Sequence, residues 1–255
     1  MKKKKSEGTL FTIPVIVSMI LLIIILLATL LAPVLAPYDP DKLDLKNVFA
    51  GPCAEHLLGT DKTGRDILSR LLYGGRMTLT GAFAIVGISI VIGVPVGLLA
   101  GYYGGKVDKV LMRITDLIIA FPPLLLAFIF AAAFGRGFSK AVMALGIIYV
   151  PMLSKLVRSL VLMERNKTYV EAARSIGYGT GRILFGHILP NCLPTMLVQL
   201  TLDIGTAILD LASMSFLGLG VQAPTSDWGA MLEDGRLYRT PYQQHALAPG
   251  IVILI

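Results

Sequence analysis

Charge is scarce in this chain. Of 255 residues, 15% are Asp, Glu, Lys or Arg and 55% are hydrophobic. The mean hydropathy is +0.75. A composition so poor in charge excludes an ordinary soluble domain and points to a polytopic membrane protein. Histidine occurs only as His56, His187 and His245, in separate loops and without metal-ligand spacing, so no metal site is expected. The two cysteines, Cys53 and Cys192, fall on opposite sides of the membrane in the topology derived below, so no disulfide is expected. The ten methionines lie mostly in apolar runs, where they serve as core filling. No nucleophile has a base near it in the sequence, so nothing supports a membrane protease. A nucleotide-binding Gly-x-x-x-x-Gly-Lys-Ser/Thr loop is also missing. The nearest approach is Gly104-Gly105-Lys106, with Ala100 where the first glycine belongs. No basic patch with interleaved aromatics occurs, so nucleic acid is not an expected partner.

Long apolar runs are what the chain has in abundance. Residues 13–36, 79–101 and 117–134 carry no charge. Residues 141–163 are uncharged until Lys155 and Arg158, and 192–214 are interrupted only by Asp203 and Asp210. A span needs about 20 apolar residues to cross about 30 Å of hydrocarbon. These runs predict an all-α membrane helix bundle of six spans. The sixth, beginning at Ala246, has ten residues; it is either re-entrant or cut short, and a fragment ending inside its sixth span is the expectation. Met1–Lys5, MKKKK, precedes the first run in the outline of a signal peptide. That run is longer than a signal core, and Pro33, Pro37 and Pro40 crowd the cleavage region. An uncleaved first span is therefore expected.

With the N-terminus cytoplasmic, the inside segments hold 13 Lys and Arg against four acids, and the outside segments ten against nine. The positive-inside rule selects that orientation. The excess of 23 basic over 16 acidic residues thus reads as topology. Two regions follow: 1–78, with the first span and an external loop, and 79–255, the transmembrane core with a cytoplasmic segment at 163–191. In the external loop, Ile67, Leu68, Leu71 and Leu72 predict a short amphipathic helix on the bilayer surface. Trp228, Tyr238 and Tyr242 in the 215–245 loop are candidate interface anchors. Gly218 and Gly220 predict a helix break or close packing at the outer end of the fifth span, and Pro95 and Pro122-Pro123 predict kinks. Asp116, three residues after Arg113, reads as part of an inner-edge ion pair.

Asp203 and Asp210 are seven residues apart, about two turns, and share a helix face. Exposing them to lipid would cost about 2.5–3.5 kcal/mol each. Two readings stay open: they line a translocation path, or they hydrogen-bond neighbouring helices or lie close to the outer interface.

The cytoplasmic segment is longer than a connection needs. Thr168-x-x-Glu171 has the form of a capping box ahead of a helix over about 169–176, which Gly177 would end in a left-handed conformation. Thr180 would start a second short helix, closed by Pro190. So long and structured an element suggests docking to a partner.

EAARSIG (171–177), nine further residues and HILP (187–190) resemble the EAA loop of ABC importer permeases: Glu-Ala-Ala, three residues, Gly, nine residues, Ile, any residue, Leu-Pro. Glu171, Ala172, Ala173, Gly177, Leu189 and Pro190 match in place. His187 departs from the consensus Ile, with Ile188 beside it. Segments 57–79, 102–126 and 215–232 resemble the C-type permease subunit of dipeptide, oligopeptide and nickel importers, over nearly the whole chain. The resemblance implies an ATPase-coupling segment at the matched residues. It implies a B-type partner permease, two ATPase subunits that use ATP and Mg, and an extracytoplasmic substrate-binding protein. The chain would then be a permease in the lipid of the cytoplasmic membrane, moving di- or oligopeptides inward. It would bind no cofactor and be no enzyme. Nickel or a metal chelate is the alternative cargo. A channel or secondary transporter is the alternative if 163–191 is a plain loop.

Overall fold

The structure is a computed structural model that describes residues 13–238 and 243–254. The MKKKK terminus and Tyr242 lie outside the described residues. No β-strand occurs among those described, in keeping with the all-α expectation. The helices are α1 (Ile13–Leu30), α2 (Ala32–Leu35), α3 (Ile67–Tyr103), α4 (Gly105–Ile119), α5 (Pro123–Phe134) and α6 (Phe138–Glu164). They continue as α7 (Thr168–Ser175), α8 (Thr180–Ile183), α9 (Leu189–Phe216), α10 (Trp228–Leu237) and α11 (Gln244–Leu254), with a π-helical turn, Leu184–Ile188, joining α8 to α9.

Among the described residues, three helices are long and apolar enough to cross a membrane: α3, α6 and the continuous stretch Thr180–Phe216. The pair α4 and α5 makes a fourth if it counts as one span, but it is bent by 87°. α1 and α11 are apolar and shorter. The single run expected over 117–134 is thus broken at the expected prolines. Pro123 disfavours a helical residue before it, and Pro122 is extended at ψ 132°. By contrast, α3 continues through Pro95.

The surface helix expected over 67–72 is not separate. It forms the first turns of the 37-residue α3, and Ile67 is buried. Asp66 caps α3 by accepting the Ser69 N–H at 2.8 Å, and its other oxygen lies 3.0 Å from His56 Nδ1. This region before α3 is pinned by charge. Asp61 accepts from Arg65 Nε at 2.8 Å, Arg70 lies buried beside it, and Lys62 reaches Asp234 at 2.5 Å. Trp228 is no interface anchor. It is 2% exposed, and its indole N–H donates to the Leu71 carbonyl at 2.9 Å. Tyr238 packs against Phe49, ring centroids 4.8 Å apart.

The pairing of α3 with α6 forms the centre of the bundle. Gly93, Gly97 and Gly101 recur every four residues on α3 and are buried. A Cβ on Gly97 would stand 2.6 Å from the Ser154 carbonyl oxygen and from Val157 Cβ. Small residues at this spacing let two helix backbones approach closely, which is how membrane helices gain packing without a hydrophobic driving force. Two core clusters flank the pairing. One holds Ile85, Leu145, Tyr149, Leu211 and Met214; the other holds Leu98, Leu153, Val157, Val161 and Ile188. At the end of α9, Gly218 adopts φ +74°, and a Cβ on Gly220 would meet Ser215 Oγ at 2.0 Å, so both the break and the close packing occur.

Candidate functional site

The segment after α6 is built in two layers. On one side, Val170, Ala173, Ile183, Leu184 and Ile188 are buried in the same cluster as Leu98 of α3 and Val157 and Val161 of α6. On the other side, Glu171, Ala172, Ser175 and Ile176 are exposed, Ile176 by 70%. The two alanines of the motif therefore differ: Ala173 packs inward and Ala172 stays available at the surface.

The expected capping box is not made. Lys167, not Thr168, is the N-cap of α7, and no side chain caps it. Thr168 is already helical, so Glu171 is left on the exposed face instead of closing its own helix. The far end follows the expectation. Gly177 adopts φ +87°, its N–H donates to Arg174 O at 2.9 Å, and the Tyr178 N–H donates to Ala173 O at 3.1 Å. This paired closure requires a left-handed residue, which glycine supplies without strain.

Pro190 does not close a helix, as the sequence suggested. It lies in the first turn of α9, and the π-helical turn just before it keeps the chain helical. Proline removes a donor and crowds the carbonyl four residues back, and the widened turn relieves both. Ile188 is fully buried, while His187 at the consensus isoleucine position is half-buried with Nδ1 3.1 Å from Arg182 O. Leu189 is half-buried against the same cluster and Pro190 is exposed.

Cations tie this segment to the ends of the long helices. Arg165 Nη1 donates to the Gly101 carbonyl at 2.8 Å, at the last turn of α3. The Arg174 guanidinium lies 5.1 Å from the Tyr102 ring centre, and that of Arg182 lies 4.0 Å from the Tyr178 ring centre. The Tyr169 hydroxyl donates to Glu164 at 2.8 Å. Burial, reinforced by that carboxylate, pushes the phenol up to about 12. Neither Arg165 nor Arg174 stands out in the sequence, because their partners are backbone and ring groups of a helix about 70 residues away. The one usable signal is basic residues directly after an apolar span, where they meet the negative end of a neighbouring helix.

The two intramembrane carboxylates separate. Asp210 accepts from the Tyr149 hydroxyl of α6 at 2.7 Å, a bond to a neighbouring helix. Asp203 accepts from Gln199 Nε2, one turn earlier on its own helix, at 2.8 Å. Both are half-buried. Neither meets the 171–190 motif: Asp203 follows Leu189 by about 21 Å of helix. Asp116 does form an ion pair, but with Lys155 of α6 at 2.6 Å and not with Arg113. Cys53 and Cys192 are both unpaired.

Residues 93–255 match the family described as binding-protein-dependent transport system inner membrane component, and residues 14–52 match the N-terminal TM domain of oligopeptide transport permease C. The chain is 45% identical over 210 residues to a dipeptide transport system permease protein, DppC, of Alkalihalophilus pseudofirmus, covering 82% of this chain and 69% of that protein. It is 38% identical over 219 residues to the nickel transport system permease protein NikC of Escherichia coli K12, covering 86% and 79%. A solved inward-facing MetNI methionine ABC transporter shares the fold with a TM-score of 0.60 at 20% identity, over 72% of this chain and 88% of that one. The chain belongs to the binding-protein-dependent transport inner-membrane family: it is a permease subunit of an ABC importer, and not itself an enzyme.

Proposed function

We propose that this permease moves di- or oligopeptides across the cytoplasmic membrane, with its N-terminus and the 163–191 segment in the cytoplasm. A substrate-binding protein delivers cargo outside, a homologous B-type permease completes the path, and two ATPase subunits bind ATP with Mg. The chain itself holds no cofactor in this reading. A six-span arrangement belongs to the same proposal.

One observation carries the coupling role. The exposed edge of α7, with Glu171, Ala172 and Ile176, is backed by residues buried with α3 and α6. A partner that engages this edge pulls on the core of the bundle and not on a loose loop. Glu171 then pairs with a cation of the ATPase, Ala172 permits close approach, and Gly177, Leu189 and Pro190 fix the path into α9. Asp203 and Asp210 give the translocation route a weak negative character. Peptide cargo is favoured by the similarity to a dipeptide permease; nickel or a metal chelate is the second reading, favoured by the similarity to NikC.

The test is uptake in cells with and without this gene, with the partner subunits present, offering a labelled dipeptide, a longer peptide and nickel in parallel. Selective loss of peptide uptake supports the first reading. Selective loss of nickel uptake replaces it with the second. Unchanged uptake of all three would overturn both.

A further inference from the structure

α4 has three faces. Leu111, Met112 and Thr115 turn toward the protein. Val107, Val110, Ile114 and Leu117 form an exposed apolar stripe at spacings of three and four. Lys106, Lys109, Arg113 and Asp116, each one residue earlier, form an exposed polar stripe about 100° away around the helix. Asp116 is paired with Lys155. No ion pair to Lys106, Lys109 or Arg113 occurs among the described residues.

The position of α4 is as specific as its pattern. Among the described residues, its ion pairs reach only Lys155 and Arg158 of α6, within the last turns before Glu164. Its first residues adjoin Gly101 and Tyr102, whose carbonyls accept from Arg165. α4 therefore lies at the same end of the bundle as α7. The 87° break turns it sharply away from the axis of α5, the helix that continues along α6. At 15 residues it is about 22 Å long, too short to cross. An apolar stripe beside a basic one, on a helix turned out of the bundle at its inner end, is the geometry of a helix seated in the membrane interface.

We infer that α4 is an interfacial helix whose stripe of Lys106, Lys109 and Arg113 binds the anionic headgroups of phospholipids in the cytoplasmic leaflet. The apolar stripe enters the acyl boundary. A phosphate then sits at the mouth of the groove between α4 and α6, where Lys109, Arg113, Lys155 and Arg158 face only Asp108 and Asp116. Four cations against two carboxylates leave a local charge that an anionic lipid neutralises. The inference rests on the proposed cytoplasmic placement of α7.

The test uses the full chain, with Val110→Cys in a Cys53→Ser background, carrying a fluorophore at position 110 and reconstituted in bilayers. Phosphatidylglycerol or phosphatidylcholine with brominated acyl chains is added as a quenching guest at equal mole fraction. Phosphatidylglycerol is expected to quench several-fold more strongly. Replacing Lys106, Lys109 and Arg113 by Gln should abolish that preference and leave the phosphatidylcholine quenching in place. Each basic group near an anionic surface contributes roughly a five-fold preference, about 1 kcal/mol. Equal quenching by the two lipids would overturn the headgroup site. No quenching by either would mean that protein or water covers the stripe, and would overturn the interfacial placement. A membrane-impermeant thiol reagent applied to intact cells separates the two levels. Reaction of Val110→Cys from outside would defeat the cytoplasmic placement and the coupling reading with it. Protection from outside with equal lipid quenching defeats the lipid inference alone.

Discussion

Arg165, the first residue after α6, donates to the carbonyl of Gly101 at 2.8 Å and so closes the end of a helix that is not its own. The last carbonyls of α3 lack partners within the helix, and a guanidinium satisfies them with a charge-assisted bond. Arg165→Ala should lower stability by about 1.5–3 kcal/mol, the range for a hydrogen bond to a charged group. Thermal unfolding of the purified protein checks this; an unchanged midpoint would mean that the bond is replaced by water at no cost.

Glu171 and Gly177 should separate function from folding. Glu171 is exposed and caps nothing, so Glu171→Ala should change stability by less than about 0.5 kcal/mol. Its expected effect is loss of ATPase co-purification and of uptake. Gly177→Ala must place a side chain at φ +87°, costing about 1–2 kcal/mol locally. Normal uptake by both variants would remove the coupling role from this segment.

Packing of α3 on α6 should tolerate no side chain at Gly97. A Cβ there meets backbone and Val157 at 2.6 Å, so Gly97→Val forces the helices apart. Overpacking of this kind costs about 1–3 kcal/mol. Gly87, with open space around its Cβ position, is the control: Gly87→Ala should be neutral or slightly stabilising. Equal melting temperatures for the Gly97 and Gly87 variants would refute the close approach.

Asp210→Asn keeps a carbonyl acceptor for the Tyr149 hydroxyl, so assembly should survive it. Tyr149→Phe removes the donor. If Asp210 is structural only, uptake by Asp210→Asn stays at the parental level. A drop in uptake with normal assembly supports a role in the path. The same pair of measurements on Asp203→Asn tests the residue whose bond stays within its own helix.

The Asp61 clamp should weaken in acid. Burial pushes the Asp61 carboxyl up, but bonds from Thr63 and Arg65 and the Arg65 charge outweigh it, and the group is held below its ordinary 3.8. A carboxyl depressed on folding contributes stability that is complete above its unfolded value and disappears as pH falls through the folded one. Stability attributable to Asp61 should therefore be lost on acidification below roughly pH 4. The melting temperature of the parent should fall more steeply there than that of Asp61→Asn. Parallel curves would show that Asp61 contributes nothing to the acid response.

The long apolar helices and the turn at Gly177 were legible because each is a local pattern. Apolar runs announce helices, prolines 122 and 123 announce the break, and Gly177 announces its own left-handed turn. What escaped depended on partners far away in the chain. The Gly93, Gly97, Gly101 spacing was present in the sequence, yet its meaning needs Ser154 and Val157 opposite. Trp228 looked like an interface anchor because loops often carry one. Gly75 and the Leu71 carbonyl make it a core residue instead. The capping box failed for a different reason: Lys167 is already in the extended conformation that an N-cap needs, and helix begins one residue early.

The length of α3 has a mechanical consequence. Its 37 residues make a rod of about 55 Å, with the charged clamp of Asp66 and Arg70 at one end and the Arg165 closure at the other. A pivot of about 10° at the Arg165 end would sweep the Asp66 end through about 10 Å. Because Val170 and Ile183 are buried with Leu98, the rod has a handle. Displacement at the handle and displacement at the Asp66 end are then two readings of one rotation, so neither end of the rod turns while the other stands still.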